Sequence, residues 1–416
     1  MKLRITSALL SMARQSNLLT NSLYHNLLSL PIANNLHAGP ESICVASADF
    51  SLIDREFSTA VLRPSCPESS IPFTISARRC GHSVWGQAMA RDGVIMDMSS
   101  LGHKWPSTSV LWSRLLGHYA NVGSQQLWID VWEKKLKHNV APVSRTDYLY
   151  LTVGGALFNA SSRGETFRDD LQISNVYEMD VIAGTGDFLT YSTHENPNLL
   201  YSGLGGFGQF GIITRARIAL DQAPKRQLMS LVTKHELLYC IEVARYYDKH
   251  TQSTVDKVQV KELKLRRQWL WNVSLLWINL FVPKSRIADF NLSVFKNIVL
   301  TKNIATGYIF IHPMNKISTW GDRMSAVTPY EDIFYTVEFL HSSEFGDCQE
   351  FDLQNKELLR YCEDNGIMVK QYLPDYSTKR EWMQHFGPKW RTLQENKALF
   401  DPKMLLSPGQ RIFNHN

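Results

Sequence analysis

Gly203-Leu204-Gly205-Gly206-Phe207-Gly208-Gln209-Phe210-Gly211 runs directly into Ile212-Ile213-Thr214-Arg215-Ala216-Arg217-Ile218-Ala219-Leu220, and the order of these two halves decides the fold class. The glycines satisfy the letters of a dinucleotide fingerprint twice, at 203–208 and at 206–211. That fingerprint works only where a strand precedes the glycines and a helix follows, because the helix N-terminus holds the pyrophosphate. Here the residues that follow alternate β-branched and other side chains, as a strand does. The stretch therefore reads as a tight, ligand-facing glycine turn and not as a doubly wound nucleotide fold.

Outward from that turn, short β-rich runs separated by Gly, Pro, Ser and Asp predict strands at 73–77, 93–98, 120–122, 176–182 and 211–220. A helix is predicted over 126–137, where Leu127, Trp128, Val131 and Leu136 recur on one face. Ala223-Pro224-Lys225-Arg226 marks a boundary. Beyond it the pattern predicts a helix over 237–249, strands at 275–282, 309–313 and 334–340, a helix over 351–365 and a helical end over 382–399. Residues 1–45 lack strong periodicity and read as a leader or loose N-terminal segment. The expected class is α+β with mixed sheets.

A chain of 416 residues exceeds what one hydrophobic core serves, so two domains, or one interrupted by another, are expected. With 44% hydrophobic and 20% charged residues and no long low-complexity tract, disorder of the whole is a poor reading. The net charge of +5 is small for this length and the basic residues are scattered, so nucleic acid is not an expected partner. The densest basic stretch, 257–267, alternates charged and apolar residues as a solvated helix face does. Cys44, Cys66, Cys80, Cys240, Cys348 and Cys362 form no CxxC pair, which argues against a metal site, and they make no dense disulfide framework. The longest apolar stretch, 269–282, carries Asn272, Ser274 and Asn279 and falls short of the roughly 20 residues of a membrane span.

Gly81-His82-Ser83 followed by Gly86-Gln87-Ala88 sets a histidine between glycine turns, where the backbone can come close to a ligand. Taken alone, such a histidine is more often a structural hydrogen-bonder. It arrives, however, in series with Leu127-Trp128-Ile129-Asp130, Thr146-Asp147-Tyr148-Leu149-Tyr150-Leu151-Thr152-Val153-Gly154-Gly155, Gln172-Ile173-Ser174-Asn175-Val176, the glycine turn with its strand, Asp322-Arg323-Met324-Ser325-Ala326, His385-Phe386-Gly387 and Ser407-Pro408-Gly409-Gln410. In this order, from Ala48 to Phe413, the chain resembles the plant cytokinin dehydrogenases.

The resemblance implies a two-domain flavoprotein of vanillyl-alcohol-oxidase type. Its FAD-binding domain, 46–223, would be split by a shortened cytokinin-binding domain, 224–370, and completed by a C-terminal segment, 371–416. It implies FAD bonded covalently to His82, with Gly81, Ser83, Gln87, Asp147, Thr152, Ile212, Tyr372, Ser407 and Gln410 around the cofactor. Asp147 matches the catalytic aspartate, whose carboxylate on an amine N–H helps hydride leave the neighbouring carbon. Trp277, Asn279 and Leu373 match residues beside a flat purine, which wants aromatic and aliphatic walls. The implied reaction removes the N6 side chain of an isoprenoid cytokinin such as isopentenyladenine, giving adenine and an aldehyde, in a monomer that passes electrons to a quinone or oxygen. A secretory route is implied as well, although Lys2 and Arg4 before the short apolar run 5–13 form a weak signal and leave the cytosol open.

The chain departs from the family pattern in four places. Arg79 stands where a glycine would let the backbone hug a pyrophosphate, and Leu157-Phe158-Asn159-Ala160-Ser161 is bulkier than its counterpart at two positions. The link between Pro64 and Phe73 is too short for a crossover helix, which predicts a rearranged sheet. The substrate domain is shortened at 229–236 and 258–275, and the first gap removes a segment carrying an active-site glutamate, for which Glu242 is no replacement. A non-catalytic relative and a flavin oxidase with another substrate therefore stand as alternatives.

Overall fold

The structure, a computed structural model, describes residues 27–30, 32–51, 53–64, 74–101, 109–146, 148–162, 166–169, 171–222, 274–299, 307–316, 324–343 and 348–413. The helix expected over 237–249, the basic stretch 257–267, the boundary at 223–226, Glu242 and Asp147 lie outside these residues.

Among the described residues, three sheets carry the fold. The first contains β1 (Leu36–His37), β2 (Ala60–Leu62), β3 (Ile75–Arg78) and β4 (Val94–Asp97) in the order β1-β2-β4-β3. Both β2 and β3 run parallel to β4, with Ala60 and Ile75 each in register with Val94. The short link at 63–74 therefore does not break the parallel arrangement. Strands of three or four residues are only about 10–13 Å long, so a short return suffices where a longer strand would need a helix. Residues 27–30 and 32–37, within the segment 1–45 expected as leader, belong to this unit: β1 pairs antiparallel with β2, and Leu27, Ile32 and Leu36 are buried with Leu62, Ile75 and Met96. Their apolar side chains had too short a run to show a period.

The second sheet is antiparallel, with β5 (Val110–Ser113), β6 (Gly117–Gly123), β10 (Ile212–Gln222), β8 (Val176–Ile182) and β9 (Phe188–Ser192) in that order, and β7 (Val140–Pro142) also on β10. Helix Pro197–Gly203 precedes the glycine turn and β10 follows it, the reverse of a dinucleotide fingerprint. Arg215 on β10 pairs with Glu178 and Asp180 of β8, each at 2.5 Å, on the half-buried face opposite the core.

The third sheet orders β12 (Gly307–Asn315), β13 (Ile333–Ser343), β11 (Ser274–Pro283) and β14 (Lys370–Gln371), all antiparallel. Its inner face, Ile278, Leu280, Val337 and Phe339, packs on Leu358 and Cys362 of helix Cys348–Asp364. The helical end is two helices, Lys379–Phe386 and Trp390–Phe400, not one. Gly387 turns left-handed at φ 52° and Pro388 has no N–H to continue the ladder, so the first helix stops there. The main core joins both larger units, since Phe281, Met314 and Phe334 share it with Trp128, Ile213, Trp382 and Phe386. Among the described residues no helix is long and apolar enough to cross a membrane.

Candidate active site

β3 ends at Arg78, and the turn after it enters a cavity of about 680 Å3. Arg78 is anchored from below, donating to the carbonyls of Ala48 at 2.6 Å and Val45 at 3.4 Å. Gly81 lies over this guanidinium at φ 66°, where a Cβ would stand 2.2 Å from Nη2, so only glycine closes the turn. The turn delivers His82 to the cavity wall, edge-on to Phe50 at 4.7 Å and to Tyr148 at 5.5 Å. Burial, aided by the charges of Arg78 and Arg79, holds the imidazole pKa below its usual value against a hydrogen bond with the Tyr150 backbone. The shift favours the neutral ring, and its buried Nδ1 has no hydrogen-bond partner among the described residues. From earlier in the chain, Asp49 accepts from the Gly86 N–H at 3.1 Å and the Ser51 hydroxyl at 2.8 Å, which fixes the turn carrying Gln87.

A second wall comes from the other end of the chain. Residues 405–407 run beside β3, with the Ile75 N–H on the Leu405 carbonyl at 2.7 Å and the Ser407 N–H on the Ile75 carbonyl at 2.9 Å. The turn that follows packs backbone to backbone on the Gln87 turn, since a Cβ at Gly409 would lie 2.4 Å from the Gly86 carbonyl oxygen. Ser407 and Gln410 reach the cavity from there. The glycine turn closes on the same segment: Gly208, at φ 71°, accepts from the Ser407 hydroxyl at 3.0 Å. Ile212 follows at the start of β10, and Thr152 caps helix Val153–Phe158 by accepting from the Gly155 N–H at 3.3 Å.

The third wall is the outer face of the third sheet. Alternation along the strands sends Trp277 and Asn279 of β11, Glu338 and Leu340 of β13 and Phe310 of β12 to the cavity, while their neighbours enter the core. Tyr372 ties the C-terminal segment to this face through its N–H on the Asn279 carbonyl at 2.9 Å, and Leu373 follows it into the cavity. Burial pushes the Tyr372 phenol pKa up, the Glu338 charge adds to this, and a hydrogen bond with Ser161 opposes it.

One cavity thus gathers Gly81, His82, Ser83, Gln87, Thr152, Ile212, Tyr372, Ser407, Gln410, Trp277, Asn279 and Leu373. Asp147 lies outside the described residues; its neighbours Thr146 and Tyr148 are on the wall. Sequence reasoning missed Phe310, Glu338 and Leu340, which strand alternation would have revealed once the pairing was known. Phe158, Asn159 and Ser161 line the cavity without closing it, and Arg79 adds its side chain beside Arg78. These features fit FAD. A cavity of this size suits a large organic group, the glycine turns allow close backbone approach, and the arginines suit a diphosphate. The buried, unpaired Nδ1 of His82 is an atom with a bond still to make.

Comparison with known proteins agrees. A family model described as "Cytokinin dehydrogenase 1, FAD and cytokinin binding" matches residues 255–413. Cytokinin dehydrogenase 3 of Arabidopsis thaliana is 38% identical over 489 residues, covering 94% of this chain and 92% of the relative. Cytokinin dehydrogenase 5 of Oryza sativa subsp. japonica is 37% identical over 491 residues, covering 91% of each. Both alignments are longer than the 416 residues here, so the relatives carry internal segments that this chain lacks. Among solved structures, a VAO-type flavoprotein from Myceliophthora thermophila C1 superimposes with a TM-score of 0.63 at 13% identity over 84% of this chain and 79% of its own. The 6-hydroxy-D-nicotine oxidase of Arthrobacter nicotinovorans does so with a TM-score of 0.64 at 14% identity over 89% and 95%. The fold is that of the VAO-type flavoproteins, and by its identity to relatives aligned along nearly their whole length the chain belongs to the cytokinin dehydrogenase family.

Proposed function

We propose that the chain catalyses FAD-dependent oxidative cleavage of the N6 side chain of isoprenoid cytokinins, taking isopentenyladenine to adenine and an aldehyde and so lowering cytokinin levels. The observation that carries this reading is the single cavity that joins the His82 turn to the Trp277–Asn279 face of the third sheet. FAD supplies the acceptor for a hydride from the carbon next to N6. The side chains around it hold, orient and polarise. His82 would hold the cofactor through a covalent bond, for which its buried Nδ1, without a hydrogen-bond partner among the described residues, is the open ring nitrogen. Trp277 and Leu373 sandwich the flat base, and Asn279 gives it a polar contact. Asp147 takes the N6 proton, which lets the nitrogen lone pair drive hydride departure; water then cleaves the resulting imine to amine and aldehyde. A quinone or oxygen receives the electrons, and the working unit is one chain. Among the described residues, the departures at Arg79 and at 158–161 line the cavity without closing it, so they do not favour the alternatives of a non-catalytic relative or another substrate.

The purified protein is expected to stay yellow after acid precipitation, and His82→Ala to lose that colour. Isopentenyladenine turnover with a dye acceptor is expected in the wild type and to fall by about a hundredfold or more in Asp147→Asn. A folded, colourless wild-type protein would sink the reading.

A further inference from the structure

The outer torsion of a histidine side chain is broad and has no staggered well to fix the ring plane, so neighbours must decide where its nitrogens point. His82 hydrogen-bonds the Tyr150 backbone, and because Nδ1 has no partner that bond is made through Nε2–H, which leaves the lone pair on Nδ1. The plane of the ring is set by Phe50, edge-on with centroids 4.7 Å apart and planes at 75°, and by Tyr148 at 5.5 Å and 61°. Phe50 also meets Trp277 edge-on at 6.0 Å. Its backbone is tied to the same turn, with the Phe50 N–H on the Ser83 carbonyl at 3.0 Å. Asp49 beside it accepts from the Gly86 N–H, and the Ala48 carbonyl accepts from Arg78, so residues 48–50 grip the turn on both sides of His82. Phe50 joins none of the apolar cores of the described residues and does not line the cavity, whereas His82, Tyr148 and Trp277 do. Core packing therefore does not account for an aromatic ring there.

We infer that Phe50 is a positioning residue for flavin attachment, whose ring holds the imidazole plane of His82 so that Nδ1 is presented to the cofactor. This rests on the covalent flavin of the proposed function and deepens it. Attachment joins Nδ1 to a ring methyl carbon of the flavin. The imidazole and the methyl group each give up one proton, the flavin ring takes both together with the electron pair of the broken C–H bond, and the quinone or oxygen of the proposed function reoxidises it. An imidazole free to swing leaves the cavity intact and FAD able to bind, so the loss falls on the rate of bond formation.

The test compares full-length wild type, Phe50→Leu and Phe50→Tyr, measuring bound flavin by absorbance and the part that survives acid precipitation. Wild type and Phe50→Tyr, which keeps the flat ring, are expected to carry their flavin in acid-stable form. Phe50→Leu is expected to hold flavin that acid releases, with attachment on incubation with FAD slowed about tenfold or more. FAD titrations of His82→Ala and of His82→Ala with Phe50→Leu give a readout independent of attachment and of turnover, and their Kd values are expected to agree within about twofold. Melting temperatures of the same proteins report folding, and Phe50→Met, closer to phenylalanine in length, takes the place of Phe50→Leu if that variant does not fold. Acid-stable flavin in Phe50→Leu at the wild-type level, a Kd in the double variant that rises as far as attachment falls, or Phe50→Tyr as impaired as Phe50→Leu would overturn the assignment. Failure of both Phe50→Leu and Phe50→Met to fold would overturn it as well, assigning Phe50 to packing. A folded wild type without acid-stable flavin would overturn the proposed function itself, a result visible without any Phe50 variant.

Discussion

Asp49 illustrates how a single buried group ties the site to pH. Only 3% of it is exposed, and burial, with help from nearby Asp54, outweighs its bonds from Ser51 and Gly86, raising its pKa from 3.8 to about 6. Between those values the folded chain holds a proton that the unfolded chain releases, so this residue's contribution to stability is fully present below the lower value and is lost as pH rises through the upper one. An asparagine keeps an oxygen for the Gly86 N–H and has nothing to titrate. The melting temperature of Asp49→Asn, relative to wild type, is therefore expected to increase from about pH 4 to about pH 7. An offset that stays flat across that range would show that Asp49 does not titrate there. Because Asp49 holds the turn bearing Gln87, the same series read by flavin fluorescence reports whether its ionisation loosens the cofactor wall.

At the scale of elements, the C-terminal helix is pinned to the glycine turn by an ion pair with no exposed surface. Lys397 meets Asp401 at 2.7 Å and donates to the Gln209 carbonyl at 3.1 Å, the Gln209 amide oxygen at 2.9 Å and the Leu406 carbonyl at 3.2 Å. Asp401 accepts from the N–H groups of Leu405 and Leu406, which start the segment that carries Ser407 along β3. Lys397→Met leaves the carboxylate buried and unpaired, a loss of about 3–5 kcal/mol, whereas adding Asp401→Asn removes the stranded charge and should recover part of it. Thermal unfolding of the single and double variants checks this, and a double variant no more stable than the single would assign the loss to packing. Local patterns exposed many elements but not their partners. Val176–Ile182 was legible to the residue because its run is bounded by turn residues at both ends, and the glycine turn was legible because a strand follows it. The split of the last helix was written in Gly387-Pro388 and overridden by apolar spacing on both sides. Trp277, Asn279 and Leu373 came through motif matching, whereas Phe310 and Glu338 depend on which strands pair, a long-range fact that no local period contains.

For the whole molecule, the cavity is where the three sheets and the C-terminal segment meet, so its occupant is a structural partner of each. This chain has lost internal segments that its relatives keep, and yet Phe281, Met314 and Phe334 of the third sheet remain in one core with the second. A cavity of about 680 Å3 in such an assembly gives an occupant contacts with side chains of all three sheets and the C-terminal segment. A ligand that binds only the folded state stabilises it by mass action, by about 2.7 kcal/mol at a hundredfold excess over Kd. His82→Ala separates the two ways in which flavin contributes, because it keeps the cavity and removes the tether. The variant without flavin is expected to melt below the yellow wild type, and added FAD to restore part of the difference in a concentration-dependent manner. Adenine, far smaller than the cavity, is expected under the proposed function to shift the melting temperature further once FAD is present than in its absence. A melting temperature of His82→Ala indifferent to FAD at every concentration would mean that the cavity does not take the dinucleotide, and that the contact between the sheets alone sets the stability of this shortened chain.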